Sequence, residues 1–266
     1  MLLFREKARL GFKEGETEWL GRSVHYFQTI DSTNTKAYEL ALAGAGEGEA
    51  VVAESQEKGR GRLGRPWYSP PYLNLYLSVI LRPKISPREA PLLTLVAAVA
   101  TADAVEEISG LIPMIKWPND ILLGGRKVAG LLNEIHAGAD RIDFVILGIG
   151  VNINMDAKLL PKEIREIATS LKEETGRAVS RKAFLQALLQ KLEAWYKIFS
   201  EEGPFPILKA WRDRAQIKGT PLRVTSCGET WTGIAVDIDA HGNLIIETED
   251  GRQKRILTGD VEYDPI

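Results

Sequence analysis

Two adjacent glycines, Gly124-Gly125, separate the apolar runs DILL and RKVAGLLNEI, and they constrain the fold more than any other feature. A two-residue Gly-Gly break between strand-like segments signals a β-hairpin, because the tight turn needs positive φ at both central residues. With PMIKW before this hairpin and DFVILGIGVNI after it, the middle of the chain reads as an antiparallel meander. Upstream, VHYFQTI from Val24 and the short run AVVAE at 50–54 also read as strands. In LNLYLSVIL, Leu73, Leu75, Leu77, Val79 and Leu81 share one face, while Asn74, Tyr76 and Ser78 lie on the other.

Helices are expected between and after these strands. Asp31-Ser32-Thr33-Asn34 reads as a helix start leading into TKAYELALAGAG, with glycines at 44, 46 and 48 to end it. Ser86-Pro87-Arg88-Glu89 has capping-box spacing with Pro at the first helical position, and that helix runs to about Ser109, where Gly110 stops it. Ser180 caps a second long helix, in which Phe184, Leu188, Leu192, Trp195 and Phe199 recur at the spacing of a core stripe. A short helix follows around 204–214. From Gly219 only short strands remain: PLRVTS, ETWTGIAVDI, NLIIETE and RQKRIL, broken at Cys227-Gly228, His241-Gly242 and Asp250-Gly251. Strands this short, with turns every ~8–12 residues, suggest a small barrel. The predicted fold class is therefore α+β: an extension over 1–23, a mixed or antiparallel sheet with packed helices over 24–216, and a β-barrel over 217–266.

Several function classes fall away on charge and cysteine usage. Lys and Arg total 34 against 36 acids, a formal charge of -2, which excludes a wholesale polyelectrolyte binder of nucleic acid but not a local basic patch. The first 22 residues leave no room for a three-helix DNA-binding module. They also carry charges where a signal peptide needs an apolar run, and the longest apolar stretch, near Leu92 to Ala100, falls short of the ~18 residues a membrane span requires. A soluble, cytoplasmic protein is expected. The single Cys227 forms no internal disulfide or thiolate cluster, and His25, His136 and His241 share no ligand spacing, so no zinc site is expected.

Three segments carry chemistry. In Gln56-Glu57-Lys58-Gly59-Arg60-Gly61-Arg62-Leu63-Gly64-Arg65-Pro66-Trp67, the glycines match G-x-G-x-x-G after an apolar strand. A dinucleotide site requires a helix to start there, and Pro66, Pro70 and Pro71 rule that out. What remains is a mobile loop with three guanidiniums suited to phosphate or carboxylate, and an indole able to cover a flat ring. Three arginines so close repel one another unless an anion joins them; a solvated basic turn is the bland alternative. The second segment is Lys116-Trp117-Pro118-Asn119-Asp120 with Arg126-Lys127-Val128-Ala129-Gly130. If the Gly-Gly turn forms a hairpin, Asp120 and Lys127 project into one cleft, either as a surface ion pair or as a point charge for a transferring phosphoryl or adenylyl group. The third is Gly148-Ile149-Gly150-Val151-Asn152, where glycines allow close approach and Asn152 suits an adenine edge, though a tight turn explains it equally well. Ser32-Thr33-Asn34 is either a cap alone or a cap that also binds a small polar group. No Walker A pattern and no G-x-S-x-G elbow occurs. The residues by themselves lead to nucleotidyl chemistry on an anion, an ATP-using ligase.

Asp31-Ser32-Thr33-Asn34, GRGRLGRPW at 59–67, KWPND at 116–120, GRKVAGLL at 125–132 and GIGVN at 148–152 occur in the order found in biotin–protein ligases, which the chain resembles from about residue 24 onward. The resemblance implies a class II synthetase-like catalytic domain followed by an SH3-like barrel. It also implies a two-step reaction, in which biotin and ATP give biotinyl-5′-AMP and a lysine of a biotin carboxyl carrier protein then takes the biotin. ATP would bring Mg²⁺, held mainly through its phosphates. By the same resemblance Lys127, Arg62 and Asp120 are catalytic, Asp120 orienting or deprotonating the acceptor lysine. Ser32, Thr33, Asn34, Gln56, Gly59, Arg60, Gly61, Lys127, Gly130 and Leu132 bind biotin. Arg62, Arg65, Trp67, Lys127 and Asn152 bind ATP or the adenylate, with Gly64 helping to shape the loop. A homodimer is implied too.

Two departures from the family pattern stand out. Some members begin with a DNA-binding domain and repress transcription, for which this chain has no room, and Pro66 stands where a basic residue is common. A lipoate ligase shares the fold but differs at GRGRLGR and KWPND. An octanoyl transferase needs a cysteine nucleophile, and Cys227 lies far from every motif. A non-catalytic biotin sensor would have no use for Lys127.

Overall fold

The computed structural model describes residues 17–138, 141–226 and 228–263. Residues 1–16 of the N-terminal extension and Cys227 lie outside them.

Seven strands form one mixed sheet: β1 (Val24–Ile30), β2 (Ala50–Gln56), β3 (Leu75–Leu81), β4 (Met114–Lys116), β5 (Asp120–Leu123), β6 (Arg126–Ala137) and β7 (Ile142–Val151). Their order is β1-β2-β3-β7-β6-β5-β4, with β1 and β2 parallel and the other pairs antiparallel. The meander forms as expected. Gly124 and Gly125 take φ of 54° and 78°, the turn geometry that lets β5 fold back on β6 without splaying the pair.

Each face of this sheet is covered differently. On one side lie α2 (Ala90–Ser109) and α5 (Arg181–Glu202), with α6 (Phe205–Ala215) beside them. Helix α2 is apolar almost all round because it is sandwiched between the sheet and α5, so every residue from Leu92 to Ala100 except Thr94 is buried. Before α2, the Glu89 carboxylate accepts from the Ser86 backbone N–H at 3.0 Å, as the capping-box spacing predicts. On the other side α1 (Thr33–Leu42) covers part of the sheet, packing Ala37 and Ala41 on Val51, Ile80, Phe144 and Ile146. Strand β3 is thus buried on both faces, including the Tyr76 and Ser78 side of its alternation. Two short helices absent from the sequence reading, α3 (Lys162–Arg165) and α4 (Leu171–Thr175), follow β7.

Residues 17–22 were expected to belong to a weakly patterned extension, and within them Leu20 enters the core. The Glu193 carboxylate of α5 accepts from the backbone N–H groups of Glu18, Trp19 and Leu20 at 2.8–2.9 Å, and Leu20 is fully buried. One long-range carboxylate anchors a turn whose local sequence shows no periodicity.

The C-terminal strands β8 (Pro221–Ser226), β9 (Glu229–Ile238), β10 (Leu244–Thr248), β11 (Gln253–Ile256) and β12 (Asp260–Tyr263) form the expected β module. It is an antiparallel sheet of order β11-β10-β9-β8-β12. The last strand was not read from the sequence, because DVEY carries only one apolar aliphatic residue, Val261, which packs inward. The inner residues of this sheet share one apolar cluster with the helical layer, and the Trp117 indole N–H donates to Gly242 O at 3.0 Å across the junction.

Candidate active site

The face that α1 leaves partly uncovered has a floor with almost no side chains. Gly130 on β6 pairs with Gly150 on β7, and Leu132 pairs with Gly148. A Cβ at Gly148 would come within 2.1 Å of Asn34 Oδ1, and one at Gly150 within 2.6 Å of the Trp67 ring. A Cβ at Gly130 would come within 2.9 Å of that ring. Bare backbone is therefore what allows Asn34 and Trp67 to lie directly on the strands. This decides the ambiguity of GIGVN in favour of close approach rather than a turn.

At the α1 end of the floor the side chains form a neutral polar cluster. Thr33 donates to Gln56 Oε1 through both its backbone N–H (2.8 Å) and its hydroxyl (3.1 Å). The Ser78 hydroxyl donates to Asn34 Oδ1 at 2.6 Å and lies 2.8 Å from Thr33 Oγ1. Asn34 Nδ2 in turn donates to Glu134 at 2.6 Å. Gln56 Nε2 donates to Ser69 Oγ at 3.0 Å, and Ser69 donates to Trp67 O at 3.0 Å. Ser32, Thr33, Asn34 and Ser78 are all buried. Ser32 occupies the N-cap position, yet its hydroxyl makes no capping hydrogen bond, contrary to expectation. Its backbone N–H is instead taken by Asp31 Oδ1 at 2.6 Å, so the hydroxyl is not committed to holding the helix start.

The arginine loop is closed on itself: Trp67 N donates to Gly59 O and Gly61 N to Arg65 O, each at 2.8 Å. Only one 3₁₀ turn, Arg62–Gly64, forms within it, in keeping with the absence of a helix there. Carboxylates of the protein itself offset two of the three neighbouring guanidiniums. Arg60 pairs with Glu134 at 3.0 Å and donates to Thr35 Oγ1 at 2.9 Å, while Arg65 pairs with Asp260. Arg62 is held by neutral oxygens, donating to Thr258 Oγ1 (2.7 Å), Gly259 O (3.1 Å) and Asn119 Oδ1 (3.4 Å). Burial draws the Arg62 guanidinium below its ordinary pKa, and the nearby Asp260 and Asp120 oppose that shift.

The hairpin places Lys127 Nζ 2.6 Å from Asp120 Oδ1. Both side chains are half-buried, and the ammonium lies 5.3 Å from the centroid of the Trp67 ring. A Cβ on Gly130 would sit 3.1 Å from Nζ, so this pair rests on the glycine floor and is not an ordinary surface ion pair. The Lys127 backbone is pinned by Ile167 O (2.8 Å) and by Thr169 N (2.9 Å) from the segment after β7. Asn119 Nδ2 donates to Leu131 O at 2.7 Å, which fixes the KWPND turn. Asn152 is buried just past the end of β7, its N–H donating to Val128 O at 2.8 Å.

The structure thus gathers the Ser32–Asn34 segment, Gln56, the 59–67 loop, the Asp120–Lys127 pair, Gly130, Leu132 and Gly148–Asn152 around one floor. It adds residues the sequence reading did not single out. Ser78 was visible only as a polar position in the alternation of β3. Glu134 and Thr258–Asp260 had no local signal, because only the sheet pairing and the second β module bring them here.

A mixed sheet with a glycine floor, a basic loop and a lone lysine–aspartate pair, joined to a small antiparallel module, defines a carboxylate-activating ligase of the kind that modifies proteins. The sequence profile of the biotin/lipoate A/B protein ligase family matches residues 26–152, and that of the biotin protein ligase C-terminal domain matches residues 219–263. The bifunctional ligase/repressor BirA of Bacillus subtilis is 40% identical over 260 residues, covering 98% of this chain and 79% of the relative. A biotin–[acetyl-CoA-carboxylase] ligase of Paracoccus denitrificans is 37% identical over 227 residues, covering 84% and 93%. The structure of the Aquifex aeolicus biotin protein ligase in complex with biotin and ATP superposes with a TM-score of 0.79 at 31% identity, covering 91% of this chain and all of that one. The chain belongs to the biotin/lipoate A/B protein ligase family, on its biotin protein ligase branch.

Proposed function

We propose that this ATP-dependent biotin–protein ligase works through Lys127, Arg62 and Asp120 on the glycine floor. The ion pair of Lys127 and Asp120 beside Gly130, with the half-buried Arg62 guanidinium nearby, carries this reading. In the first step a carboxylate oxygen of biotin attacks the α-phosphorus of ATP, the Pα–O bond to the β-phosphate breaks, and pyrophosphate leaves. Two anions must meet for this, and an ammonium held by Asp120 supplies a positive point charge between them. In the second step the neutral amine of the carrier lysine attacks the acyl carbon, the carbon–oxygen bond to phosphate breaks, and AMP departs. The amine must lose a proton, and the Asp120 carboxylate is the base or orienting acceptor at hand. The buried Ser32, Thr33, Asn34 and Ser78, with the partly buried Gln56, make a neutral cluster that suits the ureido group of biotin, which offers donors and an acceptor but no charge. Gly59, Arg60, Gly61, Gly130 and Leu132 shape the rest of that subsite, and Arg62, Arg65, Trp67 and Asn152 line the adenylate side. Among the described residues no group of three or more His, Cys, Asp or Glu is able to hold a metal. Mg²⁺ would arrive on the phosphates of ATP and screen their charge.

The acceptor is the biotin carboxyl carrier domain of a carboxylase. Assembly as a homodimer rests on the resemblance, and analytical ultracentrifugation tests it. Among the described residues no helix is long and apolar enough to cross a membrane.

Biotin-dependent exchange of labelled pyrophosphate into ATP tests the reading without needing the carrier, with lipoate and octanoate run in parallel. Exchange with biotin alone is expected; exchange with lipoate instead would move the chain to the sister branch. Asp120→Asn is expected to keep this exchange while slowing transfer to a carrier domain by about 10²-fold. Equal loss of both steps would remove Asp120 from its transfer role. Arg62→Gly removes half-buried charge-assisted contacts and is expected to release biotinyl-5′-AMP, raising bystander biotinylation by roughly tenfold or more on a streptavidin blot. Unchanged acceptor selectivity would count against a loop that retains the intermediate.

A further inference from the structure

The arginine loop is not anchored only to the sheet it leaves. Two of its three guanidiniums cross to the turn between β11 and β12 in the C-terminal sheet, nearly two hundred residues away in sequence. Arg62 donates to Thr258 Oγ1 at 2.7 Å and to Gly259 O at 3.1 Å, and Arg65 pairs with Asp260. Between them Leu63 is 70% exposed with φ of 56°, so the loop tip is held by its two flanking arginines and not by burial of its apolar residue. The turn itself is firmly placed. Asp260 opens β12, which pairs with β8 from Asp260–Thr225 to Tyr263–Leu222. The same module is docked on the KWPND segment by Trp117 Nε1 on Gly242 O (3.0 Å) and by Lys116 Nζ 5.2 Å from the Tyr263 ring centroid.

We infer that the Thr258-Gly259-Asp260 turn is a latch that holds the 59–67 loop closed over the glycine floor, so that the C-terminal module positions the adenylate-binding loop through Arg62 and Arg65. The inference rests on the ligase reading for its consequence, retention of the intermediate, but not for the latch itself. Thr258 and Asp260 are positioning residues here. Neither touches the glycine floor, and both act through the guanidiniums. The contacts are individually weak because Arg65 is largely exposed, which suits a loop that must open to admit ATP and the carrier lysine. The Asp260 carboxylate also offsets positive charge in the crowded loop, so its loss both frees Arg65 and leaves its repulsion of Arg62 uncompensated.

Limited trypsin digestion of the full chain reads the latch without any assay of activity, because the bonds after Arg60 and Arg62 lie in the loop, while the bond after Arg65 precedes a proline. Asp260→Ala is expected to speed loop cleavage about threefold and Thr258→Val/Asp260→Ala on the order of tenfold, with Asp260→Glu near the unaltered rate. Cleavage of the double variant at the unaltered rate would overturn the latch. Global loosening of the C-terminal module predicts instead early cleavage after Lys254 and Arg255 of β11, and that pattern, unrescued by Asp260→Glu, would also overturn it. The catalytic consequence is read separately. Asp260→Ala is expected to raise the KM for ATP and the release of free biotinyl-5′-AMP several-fold, with kcat for pyrophosphate exchange changed less. An equal fall in kcat with no added release would overturn the positioning role. Failure of the unaltered chain to exchange pyrophosphate with biotin would overturn the ligase reading, while the trypsin result would still decide the latch.

Discussion

Lys127→Ala is expected to slow biotin-dependent pyrophosphate exchange by on the order of 10²–10³-fold while leaving biotin binding within about tenfold of the unaltered chain, the range found when one preorganised charge is removed from a transition state. The geometry explains the split. Lys127 Nζ sits beside Asp120 at the Gly130 end of the floor, whereas the neutral cluster of Thr33, Asn34, Gln56 and Ser78 lies at the α1 end. Removing the ammonium leaves Asp120 as an uncompensated carboxylate where a triphosphate must approach, so the electrostatic balance at the reacting atoms changes sign. The fold is expected to survive, because both partners are half-exposed and such pairs contribute at most ~1 kcal/mol. Lys127→Arg is expected to rescue poorly, since a wide planar guanidinium does not fit between the Trp67 ring and the Gly130 backbone as a narrow ammonium does. Calorimetric titration with biotin alongside the exchange assay separates binding from chemistry. Exchange by Lys127→Ala at a rate near that of the unaltered chain would remove the lysine from the mechanism.

Gly148→Ala is expected to weaken biotin binding by roughly 10²-fold and to lower the melting temperature by about 5–10 °C, although it adds a single methyl. The added Cβ would fall 2.1 Å from Asn34 Oδ1, so Asn34 must leave the position where it accepts from Ser78 and donates to Glu134. Asn34 is buried in the first turn of α1, and no small rotation relieves the clash without breaking one of those hydrogen bonds or shifting the helix. The groups left unpaired are the ones that shape the neutral end of the site. Gly148→Ala with normal melting and normal biotin affinity would show that this cluster is not the biotin end of the floor.

Much of the site could be read locally because its parts depend on short-range physics. A Gly-Gly hairpin brings residues seven apart in sequence, Asp120 and Lys127, into one cleft. Proline after a glycine-rich stretch forbids a helix and leaves a loop. The alternation of LNLYLSVIL made Ser78 a polar position, but nothing within the strand said that Thr33 and Asn34 would meet it, because α1 and β3 come together only on the folded sheet. Likewise the capping preference of Ser32 was legible, while the absence of a capping bond was not: Asp31 competes for the same region of backbone.

The amino-acid sequence by itself determined the order of the strands from β1 to β11 and of the longer helices, the hairpin turn at Gly124-Gly125, the loop character of 59–67 and, through several motifs in their family order, the ligase family. Those are consequences of backbone sterics and hydrophobic periodicity, which act over a few residues. Tertiary structure alone decided which partner each charge would have. The three loop arginines have identical side chains within six residues, yet Arg60 pairs with Glu134 of β6, Arg65 with Asp260 of β12, and Arg62 with neutral oxygens. Coulomb attraction and hydrogen bonding depend on distance in space, and only the docking of two sheets through one apolar cluster brings residues almost two hundred positions apart within 3 Å.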